Sequence, residues 1–181
     1  MRLYHTGDRA IPEPDIHYGR KNADFGQGFY LTPDREFTLR WAGENAVVNE
    51  YELDLTGLAV LRLERDAAWF DYIFQNRRLR DGSDADVVIG PIANDTIFDT
   101  PGIVSSGFLA SEEALRLLSI GPEYTQVTVK TPKAAARLRW LGAQTGSGLD
   151  PALREAEQAE YQKVFGELMS EIAGENGGSG P

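Results

Sequence analysis

Short segments in which apolar and polar residues alternate occur along most of the chain, and this pattern predicts β-strands. In the first, residues 2–6, Leu3 and His5 share one face while Arg2 and Tyr4 share the other. The other predicted strands are residues 29–31, 47–54, 58–63, 87–89, 124–131 and 138–141. A turn at Thr56-Gly57 predicts that the strands on either side of it form a hairpin.

Helices are predicted where apolar spacing follows a period of 3.6 and a capping residue precedes it. They cover residues 33–46, a segment capped by Asp66, and residues 111–118, 132–137 and 151–172. The last helix has an apolar stripe made of Tyr161, Val164, Phe165, Leu168, Met169 and Ile172. Such a stripe usually packs on its own domain, and self-association through residues 161–172 is the alternative. Strands and helices do not alternate as βαβ units, so an α+β fold with mainly antiparallel sheets is expected.

The stretch from Gly19 to Thr32 concentrates glycines, aromatic residues and charges in fourteen positions. Gly26 and Gly28 allow a positive φ or a close backbone approach, and Thr32-Pro33 would cap the helix that follows. The spacing fits neither a phosphate-binding loop nor a dinucleotide fingerprint. Two interpretations remain open, a glycine-rich hairpin with core aromatics or one wall of a pocket.

Composition narrows the classes of function. The 181 residues carry a net charge of −10, which disfavours stable nucleic-acid binding, and the basic run at residues 77–80 is too short to reverse this. There is no cysteine, only two histidines are present, and no calcium-loop spacing occurs, so no metal is expected. The first residues lack an apolar signal region and no segment approaches a membrane span. A soluble, cytoplasmic protein without a membrane partner is therefore expected.

Four polar or aromatic residues are candidates for chemistry, although each also has a structural interpretation. His5 lies on the first strand, close to its end at Thr6-Gly7. A histidine in such a place is more often a hydrogen-bonded structural residue than a catalytic one. Tyr30 faces away from Phe29, so one ring serves the core and the other is free for a cleft. Gln126 in a strand usually faces solvent, and Asp95 after Asn94 suits a helix cap.

Taken in order, four segments of the chain resemble an uncharacterised bacterial family of the ADP-ribosyltransferase superfamily. They are Leu3-Tyr4-His5, the stretch from Asp24 to Thr32, the stretch from Asp86 to Asp95, and Gln126-Val127-Thr128-Val129. The resemblance covers residues 2 to about 141 and excludes the last helix. It implies a split antiparallel β core with peripheral helices in residues 1–146. The second part, residues 147–181, then contains a linker, an amphipathic helix and a flexible tail. The linker-like sequence itself runs from Gln144 to Gly148 and so starts just before this boundary.

The superfamily has a His–Tyr–Glu signature and binds NAD as a substrate. The resemblance implies that His5 bonds the nicotinamide-side ribose, the backbone at Thr6 holds the carboxamide, and Tyr30 stacks on nicotinamide. Arg20 would meet the pyrophosphate, because a guanidinium fork suits phosphate oxygens. The other cleft positions that it implies are Gly7, Asp24, Gly26, Gly28, Phe29 and Asn94.

The third signature position falls on Gln126, where the superfamily has a glutamate. An amide keeps a hydrogen bond but lacks the charge that stabilises an oxocarbenium-like transition state. Asp95, Asp24 or Glu123 would then supply the negative charge, although Glu123 lies on the opposite strand face from Gln126. The resemblance implies a mono-ADP-ribosyltransferase acting on a macromolecular acceptor, as a bacterial toxin or regulatory enzyme. The alternatives are a non-catalytic NAD- or nucleotide-binding module and an NAD glycohydrolase without a specific acceptor.

Overall fold

Two β-sheets form the centre of the protein, for which the computed structural model describes residues 1–42, 45–80, 82–98, 102–103, 109–146 and 148–177. The first sheet is antiparallel in the order β1-β3-β7, with β1 at Arg2–Gly7, β3 at Ala46–Leu53 and β7 at Leu138–Gly146. The second has the order β2-β6-β5-β4, with β2 at Phe29–Leu31, β4 at Val60–Arg62, β5 at Val87–Pro91 and β6 at Thr125–Val129. Among the strands of the described ranges, only β4 and β5 pair in parallel. The α+β class is therefore confirmed.

Six α-helices and one 3₁₀ helix surround the sheets in the described part of the chain. They are α1 at Arg35–Thr38, the 3₁₀ helix at Leu39–Trp41, α2 at Ala67–Arg77, α3 at Asn94–Ile97, α4 at Ser111–Leu118, α5 at Pro132–Ala135 and α6 at Pro151–Gly177. The predicted caps at Asp66 and the start of α6 at Pro151 are confirmed. None of the described helices is long and apolar enough to cross a membrane.

Three predicted elements differ from the structure. The hairpin is wrong, because β4 leaves the turn at Gly57 (φ +73°) and pairs with β5 in the other sheet. The helix predicted over residues 33–46 extends only over 35–41, and its cap is Asp34, which accepts hydrogen bonds from the amides of Glu36 and Phe37. The linker predicted at residues 144–148 is strand up to Gly146, which pairs with Ala46. Residue 147 and the predicted tail at 178–181 lie outside the described residues.

The described residues of the core form two clusters on opposite faces of the second sheet. One contains Leu3, Phe29 and Val127 and fills the space between the sheets. The other contains Val88 and side chains of α2, α4 and α6, among them Tyr161 and Ile172, which are 3% and 2% exposed. The apolar stripe of α6 therefore packs on the chain's own core.

Candidate functional site

Strands β1 and β2 meet at a single bridge, and this junction organises the candidate site. The amides and carbonyls of Tyr4 and Thr32 exchange hydrogen bonds of 2.8 and 2.9 Å. Continued antiparallel pairing would place Thr6 opposite Tyr30, yet the Tyr30 carbonyl is bonded by Nδ1 of His5 at 2.7 Å. Because a carbonyl can only accept, Nδ1 carries the proton. The imidazole thus takes the acceptor that the next ladder bond would use.

The peptide groups of Thr6 point into the space that this interruption leaves. Backbone groups two residues apart on a strand face the same side, so those of Thr6 face β2 as those of Tyr4 do. Within the described ranges neither the N–H nor the C=O of Thr6 has a partner, while its hydroxyl donates to the Thr38 carbonyl at 3.0 Å. An adjacent donor and acceptor of this kind match the two hydrogen-bonding groups of a primary carboxamide.

The environment of His5 keeps its ring neutral. Its centroid lies 4.4 Å from that of Phe29, which is buried and meets Tyr51 edge-on at 5.5 Å. Burial lowers the pKa of His5 below its usual value, and the bond to the Tyr30 carbonyl opposes this only in part. A Cβ on Gly7 would stand 3.6 Å from Nε2 and 3.3 Å from Cδ1 of Ile11, so glycine keeps a side chain away from that nitrogen. With Nδ1 protonated, Nε2 is a hydrogen-bond acceptor.

The Tyr30 ring projects from the face of β2 opposite to Phe29, as alternation predicts. Its hydroxyl donates to the Gly26 carbonyl at 2.6 Å and accepts from the Phe25 amide at 3.0 Å. Gly26 has a φ of +76°, which explains the glycine there. Burial raises the pKa of the Tyr30 phenol above its usual value, and the Asp24 carboxylate adds to this. His5 therefore contacts the backbone of Tyr30, while the Tyr30 side chain fixes the glycine-rich turn.

Gly28 and Gly19 permit close approach between parts of the protein itself. A Cβ on Gly28 would lie 2.5 Å from Cγ2 of Thr128 and 2.7 Å from the Val129 carbonyl oxygen. A Cβ on Gly19 would lie 2.6 Å from the Gly28 carbonyl oxygen. The glycine-rich stretch is thus pressed against β6, and both glycines are explained without a ligand.

Gln126 lies on the same face of the second sheet as Tyr30. It pairs with Gly90, and the register that places Tyr30 opposite Thr128 brings Gln126 opposite Thr32. Gln126 is 5% exposed, so the solvent-facing interpretation is wrong, and its Nε2 has no partner among the described residues. A buried unpaired polar group costs about 1–3 kcal/mol. The Nε2 donor of Gln126 is therefore available to a ligand.

Glu123 lies outside this face. It precedes β6, its side chain is 56% exposed, and its carboxylate is 3.7 Å from Nε of Arg65. The sequence argument that Glu123 and Gln126 do not line one site agrees with this placement.

Asp24 and Asp95 are joined by Arg77, the last residue of α2. Nη1 and Nη2 of Arg77 donate to the two oxygens of Asp95 at 2.7 and 2.9 Å, and Nε donates to Asp24 at 2.8 Å. Burial raises the pKa of Asp24, and Arg77 offsets part of that effect. Burial alone would lower the pKa of Arg77, but the two carboxylates raise it above its usual value. The three side chains form a buried network with a formal charge of −1.

This network corrects two sequence interpretations. Asp95 is not the cap of α3, because the cap position is Ala93 and the Asp95 carboxylate binds Arg77. The sequence predicts Arg77 only as part of a basic run, whereas its place in the last turn of a helix with buried Trp69 and Ile73 brings it next to the core. Nothing in the sequence paired it with Asp24, which is 53 positions away.

Two further predicted residues are Asn94 and Arg20. Asn94 is fully buried and its Nδ2 donates to the Ile120 carbonyl, which ties α3 to the end of α4. Its Oδ1 has no partner within the described ranges. Arg20 is exposed. In the part of the chain that the structure describes, no three His, Asp or Glu side chains are grouped as metal ligands would be.

A family model matches the part of the chain that contains the strand junction, the buried amide of Gln126 and the ion network. Residues 1–140 match a family described as proteins of unknown function (DUF3990), and the chain belongs to that family. The match ends within β7, so α6 lies beyond it. No curated protein matches the sequence.

Proposed function

We propose that the protein is an NAD-dependent mono-ADP-ribosyltransferase that transfers ADP-ribose to a macromolecular acceptor, in a toxin or a regulatory role. The observation that carries this proposal is the interrupted pairing of β1 and β2, which leaves the peptide groups of Thr6 unpaired beside a neutral His5. The resemblance to the ADP-ribosyltransferase superfamily adds the His5, Tyr30 and Gln126 signature to this geometry.

Nicotinamide recognition follows from the chemistry of Thr6. The Thr6 N–H would donate to the carboxamide oxygen, and the Thr6 carbonyl would accept from the carboxamide nitrogen. A site that satisfies both groups rejects an analogue lacking one of them, because a buried peptide group is then left unpaired. Nicotinic acid, which has a carboxylate in place of the amide, is therefore a poor fit beside the Thr6 carbonyl.

His5 would orient the ribose. Since the Tyr30 carbonyl holds the Nδ1 proton, Nε2 accepts a hydrogen bond from a ribose hydroxyl. In the reaction the bond between C1′ and the nicotinamide nitrogen breaks, and its electron pair leaves with nicotinamide. A lone pair of the acceptor then bonds to C1′, and the acceptor's proton passes to solvent or a nearby base.

Among the described residues, the site lacks a free negative charge that would stabilise the transition state. Gln126 is neutral, and Asp24 and Asp95 are both engaged by Arg77. An electrostatic contribution of this type is worth a few kcal/mol in barrier height. The same observation favours the second candidate, a module that binds NAD or another nucleotide without turnover.

Incubation with NAD labelled in the nicotinamide ring tests the proposal. We expect release of labelled nicotinamide by the wild-type chain, and loss of release in His5→Ala and Tyr30→Ala. Tyr30→Phe separates two roles of that residue, because it keeps the ring but loses the hydroxyl that anchors the Gly26 turn. NAD binding without release supports the module, whereas absence of NAD binding at millimolar concentration contradicts both candidates.

Two further variants test individual groups. Thr6→Pro removes the N–H that faces β2 and should abolish binding of NAD, whereas Thr6→Val loses only the hydroxyl and should retain it. Gln126→Glu should accelerate nicotinamide release if charge alone is missing. Release that stays unchanged or falls in Gln126→Glu would place the required charge elsewhere.

A further inference from the structure

A cavity of about 500 Å³ lies between α6 and the segment that leads into β6. Its volume falls within the range for small-molecule sites. The described walls are largely apolar and include Phe98, Ile120, Pro122 and Val164. The charged residues among them are two glutamates of α6, Glu157 and Glu160. The cavity therefore combines an apolar interior with carboxylates of one sign.

One of these carboxylates already binds a cation of the protein. Glu157 accepts from Nη2 of Arg40 at 2.6 Å and from Nε at 3.3 Å. The same guanidinium lies 5.0 Å from the centroid of the Tyr124 ring. At this edge of the cavity, a guanidinium is thus held by a carboxylate and an aromatic ring.

The second carboxylate, Glu160, lies on the exposed side of the cavity and has no such cation among the described residues. Glu160 follows Glu157 by about one turn of α6 and precedes Tyr161, whose ring stacks on Phe98 at 4.1 Å. Within the described ranges, its side chain has neither an ion pair nor a hydrogen bond. A positive group entering the cavity would find this carboxylate unpaired beside an apolar surface.

We propose that this cavity binds a small organic cation, with its ammonium or guanidinium group at Glu160 and its apolar body against Ile120, Pro122 and Val164. The apolar walls supply most of the affinity and Glu160 supplies the preference for positive charge. The net charge of −10 favours approach of cations to the protein as a whole. The inference does not depend on NAD chemistry, so its failure leaves the proposed function untouched.

Titration of the ¹⁵N-labelled full chain with three probes of similar size tests this site by NMR. The probes are the 2-phenylethylammonium cation, neutral 2-phenylethanol and the phenylacetate anion. We expect saturable shifts of amides in residues 120–124 and 156–164, with the cation binding about twofold to fivefold more tightly than the alcohol and the anion weakest. Equal affinities for cation and alcohol, or no saturable shift at millimolar concentration, would overturn the proposal.

Three variants of α6 locate the site. Ala156→Trp fills the cavity from an exposed helix position and should abolish binding of both the cation and the alcohol. Glu160→Gln should remove the preference for the cation while the alcohol still binds. Glu167→Gln changes an exposed carboxylate of the same helix outside the described lining and should bind as the wild type does.

The variants can also contradict the proposal individually. Unchanged binding to Ala156→Trp would place the ligand elsewhere, and a cation preference that survives in Glu160→Gln would exclude Glu160 as its source. Circular dichroism checks that each variant is folded. If Ala156→Trp does not fold, the comparison of Glu160→Gln with Glu167→Gln still decides the proposal.

Discussion

At the scale of single residues, the position of one proton on His5 links structure to chemistry. Because Nδ1 donates to the Tyr30 carbonyl, Nε2 can accept only while the ring is neutral. Burial against Phe29 lowers the pKa of His5 and so maintains this state. The contact that interrupts the pairing of β1 and β2 also fixes the tautomer needed for an acceptor in the gap.

The lowered pKa of His5 predicts how stability depends on pH. The unfolded chain takes up a proton near the ordinary value of 6.5, whereas the folded chain does so only at lower pH. In that window the unfolded state binds more protons, so the free energy of unfolding falls as pH decreases through it. Urea unfolding between pH 7.5 and about 5 should show this in the wild type. His5→Asn should have a shallower slope, and an equal slope would contradict the assignment to His5.

The close approach of Gly28 to β6 predicts a large effect of a single methyl group. Gly28→Ala places Cβ within 2.7 Å of the Val129 carbonyl oxygen, which must move. We expect a loss of about 1–3 kcal/mol in the free energy of unfolding. Gly166→Ala is a matched control, because a Cβ there meets nothing within 4 Å, and helix propensity should make it stabilising. Equal effects of the two substitutions would contradict the packing described here.

The sequence located individual residues better than it described their surroundings. Alternation placed Tyr30 opposite to Phe29 and put Gln126 on the same face as Thr128. It did not predict that Gln126 is buried, because only the packing of distant helices decides which strand face is covered. The partner of the Tyr30 hydroxyl was also beyond reach, since it depends on the turn geometry at Gly26.

At the scale of elements, Arg77 connects three parts of the chain. It lies at the end of α2, binds Asp95 in α3, and binds Asp24 in the glycine-rich stretch. Asn76 adds a second link by donating to the Asp24 carbonyl at 3.2 Å. The position of the glycine-rich stretch is therefore determined by α2 as well as by β6.

Removing the Arg77 charge should be strongly destabilising, because two buried carboxylates would lose their counterion. We expect Arg77→Met to lower the free energy of unfolding by about 3–5 kcal/mol, as measured by chemical denaturation at pH 7. The loss should shrink at acidic pH as Asp24, whose pKa is raised by burial, becomes protonated. Arg78→Met, which loses only a contact of an exposed guanidinium with the Phe74 ring, should cost about 1 kcal/mol or less. A similar cost for both variants would argue against the network.

Elements were predicted more reliably than their pairing. Val87-Val88-Ile89 and the segment around Gln126 form strands because their β-branched residues suit a buried sheet, and the start of α6 follows from Asp150-Pro151. The pairing of β4 with β5 could not be derived, since a turn at Gly57 is compatible with either sheet. The local sequence also predicted too early a start for α1. The backbone groups of Thr32 are hydrogen-bonded to Tyr4, so the helix cap is Asp34.

At the scale of the whole molecule, the core extends beyond the segment that matches the family. Residues 1–140 contain the strand junction, Gln126 and the ion network, whereas Tyr161 and Ile172 of α6 fill one of the two core clusters. Arg40 and Glu157 add an ion pair of 2.6 Å between α6 and the 3₁₀ helix. In this chain α6 is thus part of the packed structure.

This packing predicts the effect of truncating Tyr161. Tyr161→Ala removes a ring that is 3% exposed and stacked on Phe98, and it should cost about 3–5 kcal/mol of unfolding free energy. Tyr18→Ala, at a residue that is 86% exposed, should change stability by less than about 0.5 kcal/mol. Self-association through residues 161–172 remains a separate prediction. An unfolding midpoint that rises with protein concentration would support it, whereas a constant midpoint would favour packing within one chain.

The unpaired peptide of Thr6 has a consequence for hydrogen exchange. Because β1 is an edge strand of its sheet, an amide of β1 exchanges slowly with deuterated solvent only where it is bonded to β3 or to Thr32 at the bridge. In β1 the amides of Tyr4 and His5 should be protected, while that of Thr6 should exchange much faster. Nicotinamide added to the solution should slow exchange at Thr6 selectively if its carboxamide binds there. The exchange rate of this one amide would then show, without any cleavage of NAD, whether the gap between β1 and β2 is a binding site.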